Sequence, residues 1–181
     1  GAMTKVIRTV WYDPLPPQVS LDFPAQGALL QSSPGKICGR VSDFTPVTVT
    51  VNGVAATVSA GEFCLTDFQA QPGENAITIV ATDALGNTTT LRSSFIYDDQ
   101  APQITVSSPD SGALFMASPI QITGTITDDL PAQVFVNKQP TVIEGNSFSC
   151  NYSLKEGSNI LTIIAQDAAG NRTVVIFEVL L

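Results

Sequence analysis

The chain repeats itself. Gly73–Asn87 (GENAITIVATDALGN) and Gly157–Asn171 (GSNILTIIAQDAAGN) agree at nine of fifteen positions. Upstream, an offset of 85 aligns Pro17 with Pro102, Pro24 with Pro109, Gly39 with Gly124, Asp43 with Asp128, Asn52 with Asn137 and Phe63 with Phe148. A single deletion between Phe63 and Gly73 then shifts the offset to 84. Self-similarity at a fixed period means an array of one module, and 181 residues hold two copies, each large enough to fold around its own core. The division expected is residues 14–100 for the first module and 101–181 for the second. In residues 1–13, Gly1-Ala2-Met3 reads as the remnant of an expression tag. The same offset lays Trp11-Tyr12-Asp13 on Ile96-Tyr97-Asp98, so residues 4–13 read as the last strand of a preceding module. Such an orphan strand is expected to dock on a neighbouring copy, by addition to a sheet edge or as a lattice contact, the alternative being that it folds back along the first module as an extended first strand.

Within each copy the apolar period is two. Ile104 and Val106 alternate with polar residues, as do Ile122, Gly124 and Ile126, then Val134 and Val136, then Phe148, Cys150, Tyr152 and Leu154. Turn residues punctuate these runs: Pro109 and Gly112, Asp128 to Pro131, Glu156-Gly157 and Asp167 to Asn171. Asn52-Gly53 in the first copy is a strong two-residue hairpin signal. The pattern predicts an all-β fold of two tandem antiparallel β-sandwiches, about seven strands each.

Composition narrows the chemistry. Eight bases against sixteen acids give a net charge of −8, too little clustered basic charge to bind nucleic acid. With no histidine, imidazole catalysis and His-ligated metals are excluded. The acids sit singly or in pairs at turns, without a readable activated nucleophile, and the expectation is a protein that is not an enzyme. No apolar run approaches the length that spans a membrane.

APQITVSSPDSGALF, ITGTITDDLPAQVFVN and EGSNILTIIAQDAAGN resemble the bacterial immunoglobulin-like modules strung along surface proteins and appended to secreted glycoside hydrolases. The resemblance covers Pro17 to Leu181. It implies a non-catalytic structural or adhesion role, spacing or presenting other domains of a longer extracellular, cell-surface or periplasmic protein. The expected partners are neighbouring modules of the same chain, with a surface protein or a glycan as candidate ligand. The competing reading is a carbohydrate-binding accessory module of a secreted glycoside hydrolase, which calls for a row of exposed aromatics.

In that fold the second and fifth strands are sheet neighbours. Cys38 and Cys64 both fall in the outward phase of those strands, and copy two has Thr123 and Ser149 in their places, losing both halves together. A Cys38–Cys64 disulfide is therefore expected, in keeping with an oxidising compartment. Cys150, aligned with Leu65, is expected as a free buried thiol. The fold also brings the incoming linker and two of the loops to one end. In copy two these carry Asp98 and Asp99, Asp128 and Asp129, and Asp167 with Asn171. Such an oxygen-rich set suits calcium at the interdomain junction; the plainer role is capping of turns through the backbone. Copy one offers Asp13, Asp43, Asp83 and Asn87, a poorer set. The short linker ending in Pro102 predicts an extended arrangement with limited hinge motion.

Overall fold

The computed structural model describes residues 3, 5, 6 and 12–181. The reading of residues 4–13 as a strand of a preceding module rests mainly on positions outside the described residues. The chain forms two compact units, residues 1–28 with 33–96, and residues 97–181 with 29–32. Among the described residues every regular element is a strand, and no helix is long and apolar enough to cross a membrane.

The first module contributes β1 (Gln18–Phe23), β2 (Leu29–Leu30), β3 (Gly35–Ser42), β4 (Thr48–Val51), β5 (Val54–Ser59), β6 (Glu62–Phe68), β7 (Gly73–Thr82) and β8 (Thr88–Tyr97). The second contributes β9 (Gln103–Ser108), β10 (Ile120–Thr127), β11 (Ala132–Val136), β12 (Gln139–Pro140), β13 (Val142–Glu144), β14 (Ser147–Tyr152), β15 (Ser158–Asp167) and β16 (Arg172–Leu180). That is eight strands per copy where the sequence suggested seven, because the chain after Pro24 forms the two-residue β2 and the fifth strand of copy two is divided.

This division distinguishes the copies. In the first, β5 pairs with β4 at one end and with β6 at the other, giving one sheet in the order β1-β3-β6-β5-β4-β7-β8-β2. In the second, Pro140 stands where the first copy has Ala55. Pro140 still stands opposite Phe135 of β11 and the Thr141 amide still donates to the Val134 carbonyl, so the interruption falls at Thr141, between β12 and β13. The result is two four-stranded sheets, β13-β14-β10-β9 and β12-β11-β15-β16.

The period-two residues form the cores. Ile37, Val49, Val51, Phe63, Ile77, Ile79 and Phe95 are buried in the first unit; Ile122, Val134, Val136, Phe148, Leu161 and Ile163 take those roles in the second. Phe148 lies against Gly124, where a Cβ would stand 2.4 Å from its ring and 2.2 Å from the Thr105 carbonyl. Gly39 and Phe63 repeat the arrangement in the first unit, with the Ser20 carbonyl at 2.0 Å. These glycines let the strand approach its neighbour beneath an aromatic ring, and no larger residue fits. The Asn52-Gly53 hairpin has φ of 50° and 82°, both in the left-handed region that a type I′ turn requires.

Candidate functional site

Three carboxylates meet at one end of each unit. In the second, Asp98, Asp128 and Asp167 each place an oxygen within 4.8 Å of the others; in the first, Asp13, Asp43 and Asp83 do the same. Each cluster draws on the segment leading into the module, the loop after its second long strand (β3 or β10), and the end of its penultimate strand (β7 or β15).

The local geometry follows from short Asx side chains bonding their own backbone. Asp13 accepts the Leu15 amide at 3.2 Å and Asp98 the Gln100 amide at 2.9 Å. Asp43 accepts the Thr45 amide and Asp128 the Leu130 amide, both at 2.8 Å. All four are thus held in two-residue Asx turns. Asp83 and Asp167 are the buried members, 6% and 5% exposed. Asp167 Oδ1 accepts the amides of Gly170 and Asn171, while its Oδ2 accepts the Asn171 side-chain amide at 2.8 Å. Asp83 is bonded by Leu85 and Asn87 in the same manner.

The two asparagines fasten the incoming segment. Asn171 Nδ2 donates at 2.8 Å to the Asp98 carbonyl as well as to Asp167. Asn87 Nδ2 donates at 2.8 Å to the Asp13 carbonyl as well as to Asp83. Thr89 and Thr173 add hydroxyl bonds to the carbonyls of Pro17 and Pro102. Each module therefore binds the main chain that enters it.

The sequence expectation for the second module is partly realised. Asp98, Asp128 and Asp167 converge. Asp99 is exposed, and its carboxylate accepts the Tyr97 hydroxyl at 2.9 Å and the Gln100 side-chain amide at 2.6 Å. Asp129 is exposed and stands outside the cluster. Asn171 acts as a clamp whose amide protons are both engaged. The reason is the Asx turn, which folds the first acid of each Asp-Asp pair back over its own loop and leaves the second to solvent. The first copy is not the poorer one, since its three carboxylates match those of the second position for position. The repeat offset that pairs Asp13 with Asp98 carried this signal.

Electrostatics differ between members. Burial pushes the Asp128 carboxyl above its ordinary value, against the Leu130 bond, and the neighbouring charges of Asp167, Asp98 and Asp129 add to the rise. Asp83 is also disfavoured as an anion by burial, but its bonds from Asn87, Leu85 and Gly86 outweigh this and hold it below the ordinary value. Asp99 is lowered by its bonds from Gln100 and Tyr97. In the first cluster, Asp13 Oδ2 is shielded from solvent and has no hydrogen-bond partner among the described residues. The donors are hard oxygens with unspent negative charge, which fits a calcium-like ion completed by further oxygen ligands.

Elsewhere, Cys38 and Cys64 stand directly opposite each other on β3 and β6 and are joined by a disulfide, with Cα atoms 4.2 Å apart. Cys150 is a free thiol, 7% exposed, and burial pushes its pKa up. Among the described residues the exposed aromatic side chains are Tyr12, Phe23 and Phe44, of which only Phe23 lies on a strand.

The comparisons with known proteins agree with this architecture. The family model "Glucodextranase, domain B" matches residues 17–98 and again residues 102–181. Bacillopeptidase F of Bacillus subtilis is 34% identical over 104 residues, 56% of this chain and 7% of that protein. The serine-rich adhesin for platelets of Staphylococcus aureus is 28% identical over 141 residues, 73% of this chain and 6% of that protein. The chain thus spans less than a tenth of the length of these relatives. Among solved structures, the fibronectin(III)-like modules of Clostridium thermocellum CbhA superpose with a TM-score of 0.54 at 17% identity, over 91% of this chain and 94% of that one. An I-band fragment of titin gives 0.56 at 13% identity, over 92% and 66%. At such identities the likeness is one of fold, and it is to the immunoglobulin-like sandwich that the sequence motifs resembled. The chain belongs to the glucodextranase domain B family, of which it carries two copies in tandem.

Proposed function

We propose that this chain is a pair of non-catalytic extracellular modules that space and present other domains of a longer surface or secreted protein, with calcium held where each module receives the incoming chain. The observation that carries this reading is the repeated clamp. In both units the same Asp, Asp, Asp and Asn positions tie the entering main chain to the module, as a spacer that resists bending at its joints requires. A disulfide on the first module and the adhesin among the relatives support an extracellular setting.

Calcium would join three carboxylates that otherwise repel one another. Its binding to the folded state alone raises stability by mass action, about 2.7 kcal/mol at a hundredfold excess over Kd. The test is calorimetric titration with calcium, together with melting in millimolar calcium and in chelator. Higher melting in calcium, abolished by Asp167→Asn in the second unit and by Asp83→Asn in the first, is expected. Superimposable melting curves and no heat of binding would leave the clusters as loop caps alone.

The accessory carbohydrate-binding reading draws on the family's printed name, which is that of a glucan-degrading enzyme. Retarded migration of the chain in gels containing soluble glucans would favour it over the spacer role.

A further inference from the structure

Strand β16 closes one sheet of the second unit, and its outer edge is only partly covered. Gly112 donates to the Glu178 carbonyl, Leu180 donates to Ala113, and Phe115 donates to the Leu180 carbonyl. The even-numbered residues of β16 therefore turn their backbone groups away from β15. Period two puts Val174 and Ile176 in the same orientation, and among the described residues neither has a backbone partner on that side. Their side chains are 51% and 63% exposed. An open edge carrying β-branched apolar residues is a template for another strand.

The first unit shows the contrast. At the offset of 84, Arg172, Val174, Ile176 and Glu178 correspond to Thr88, Thr90, Arg92 and Ser94. An arginine on an edge strand is a common guard against pairing. The second unit carries isoleucine there instead.

The sequence of β16 is also complementary to itself. In an antiparallel pairing of two copies about a two-fold axis at Val175, Val174 faces Ile176 of the other copy, and Arg172 faces Glu178. Both contacts occur twice. All four residues have exposed side chains, and Val174 and Ile176 have free outward backbone groups, so one register supplies ladder bonds between Val174 and Ile176, the apolar contact and the opposed charges together. Arg172 and Glu178 have only neutral partners within the chain: Arg172 Nε donates to Gln166 at 2.9 Å, and the Glu178 carboxylate accepts the Ser158 hydroxyl. The equivalent pairing of the first unit would offer Thr90 against Arg92 and Thr88 against Ser94, with neither feature.

We propose that β16 is a homotypic interface, through which the second module of one chain adds edge to edge to that of another. Because Gly112 occupies the Glu178 carbonyl, the backbone ladder is confined to Val174 and Ile176 and the Arg172–Glu178 contact is made by side chains alone, so the pairing is short and reversible. It would join arrays side by side, a lateral association distinct from end-to-end spacing and independent of calcium.

Sedimentation equilibrium in chelator, from about 10 µM to about 1 mM chain, tests this. A monomer–dimer equilibrium is expected. Arg172→Glu and Glu178→Arg should each raise the dissociation constant at least about tenfold by setting like charges opposite each other. The double variant should return it to within about threefold of the original. Ile176→Arg, which copies the first unit's guard, should leave only monomer. Unchanged melting curves establish that the variants fold. A wild-type chain that stays monomeric at about 1 mM overturns the proposal. So does a dimer indifferent to these substitutions, or a folded double variant that fails to recover pairing.

Discussion

The Cys38–Cys64 disulfide closes a loop with a sequence separation of 26. In the chain-entropy treatment, cross-linking a loop of that length removes about 12 cal/mol/K from the unfolded ensemble, or about 3.5 kcal/mol at 25 °C. The second module supplies its own replacement, because Thr123 and Ser149 pair at the equivalent place on β10 and β14. Replacing Cys38 by Thr and Cys64 by Ser thus installs a pair already accommodated at the same register. A cross-strand Thr–Ser contact contributes about 0.2–1 kcal/mol, so the net loss should be about 3 kcal/mol. For a module of this size each kcal/mol moves the midpoint by about 4–8 °C, and the first unit should melt about 12–24 °C lower. Calorimetry of wild type and variant measures this, with hydrogen exchange on peptides of each unit assigning the transition. The second unit should be unmoved, and a reducing agent should lower wild type to the level of the variant. Thiol titration of denatured, unreduced wild type should find one group, Cys150. Three thiols, or a first-unit midpoint shifted by less than about 3 °C, would refute the reasoning.

Gly124→Ala should destabilise the second unit by about 3 kcal/mol or more, read from its denaturation midpoint, because the new methyl meets a strand carbonyl as well as the Phe148 ring and neither can yield cheaply. Asp128→Asn should stabilise that unit in chelator at neutral pH. The native state raises the Asp128 pKa, so this group's contribution is favourable while protonated and lost as pH climbs through the carboxylate range. The advantage should therefore vanish on acidification and reverse in millimolar calcium, where the variant lacks a ligand; melting across pH with and without calcium measures both. Asp83 has the opposite sign, its lowered pKa giving stability above the ordinary carboxylate value that is lost as pH falls through the folded one.

Much of this molecule is written in local sequence. Strand positions follow from alternation of apolar residues, which needs no knowledge of partners. The Asn52-Gly53 turn follows from conformational preference of two residues. The opposition of Cys38 and Cys64 was legible once the resembled fold made their strands sheet neighbours, because their outward phase and their joint loss in the second copy then constrain the same pair. Turn-capping by Asp43, Asp83, Asp128 and Asp167 is also local, an acid bonding amides two to four residues ahead.

Three features depended on tertiary structure. Asp98 joins the cluster and Asp99 does not, although they are neighbours with the same side chain; the Asx turn orients one and leaves the other to Tyr97 and Gln100. Asn171 has the composition of a ligand but serves as a clamp, since only the fold brings the Asp98 carbonyl within 2.8 Å of its amide from 73 residues away. The division of the second module into two sheets falls at Thr141, where the chain leaves β11 and joins β14 from Val142 onward, a change of partner that only the packed strands define. Alternation, turn preference and phase are properties of a few adjacent residues. Convergence and edge exposure arise when strands distant in sequence are packed together, and are set by the packing.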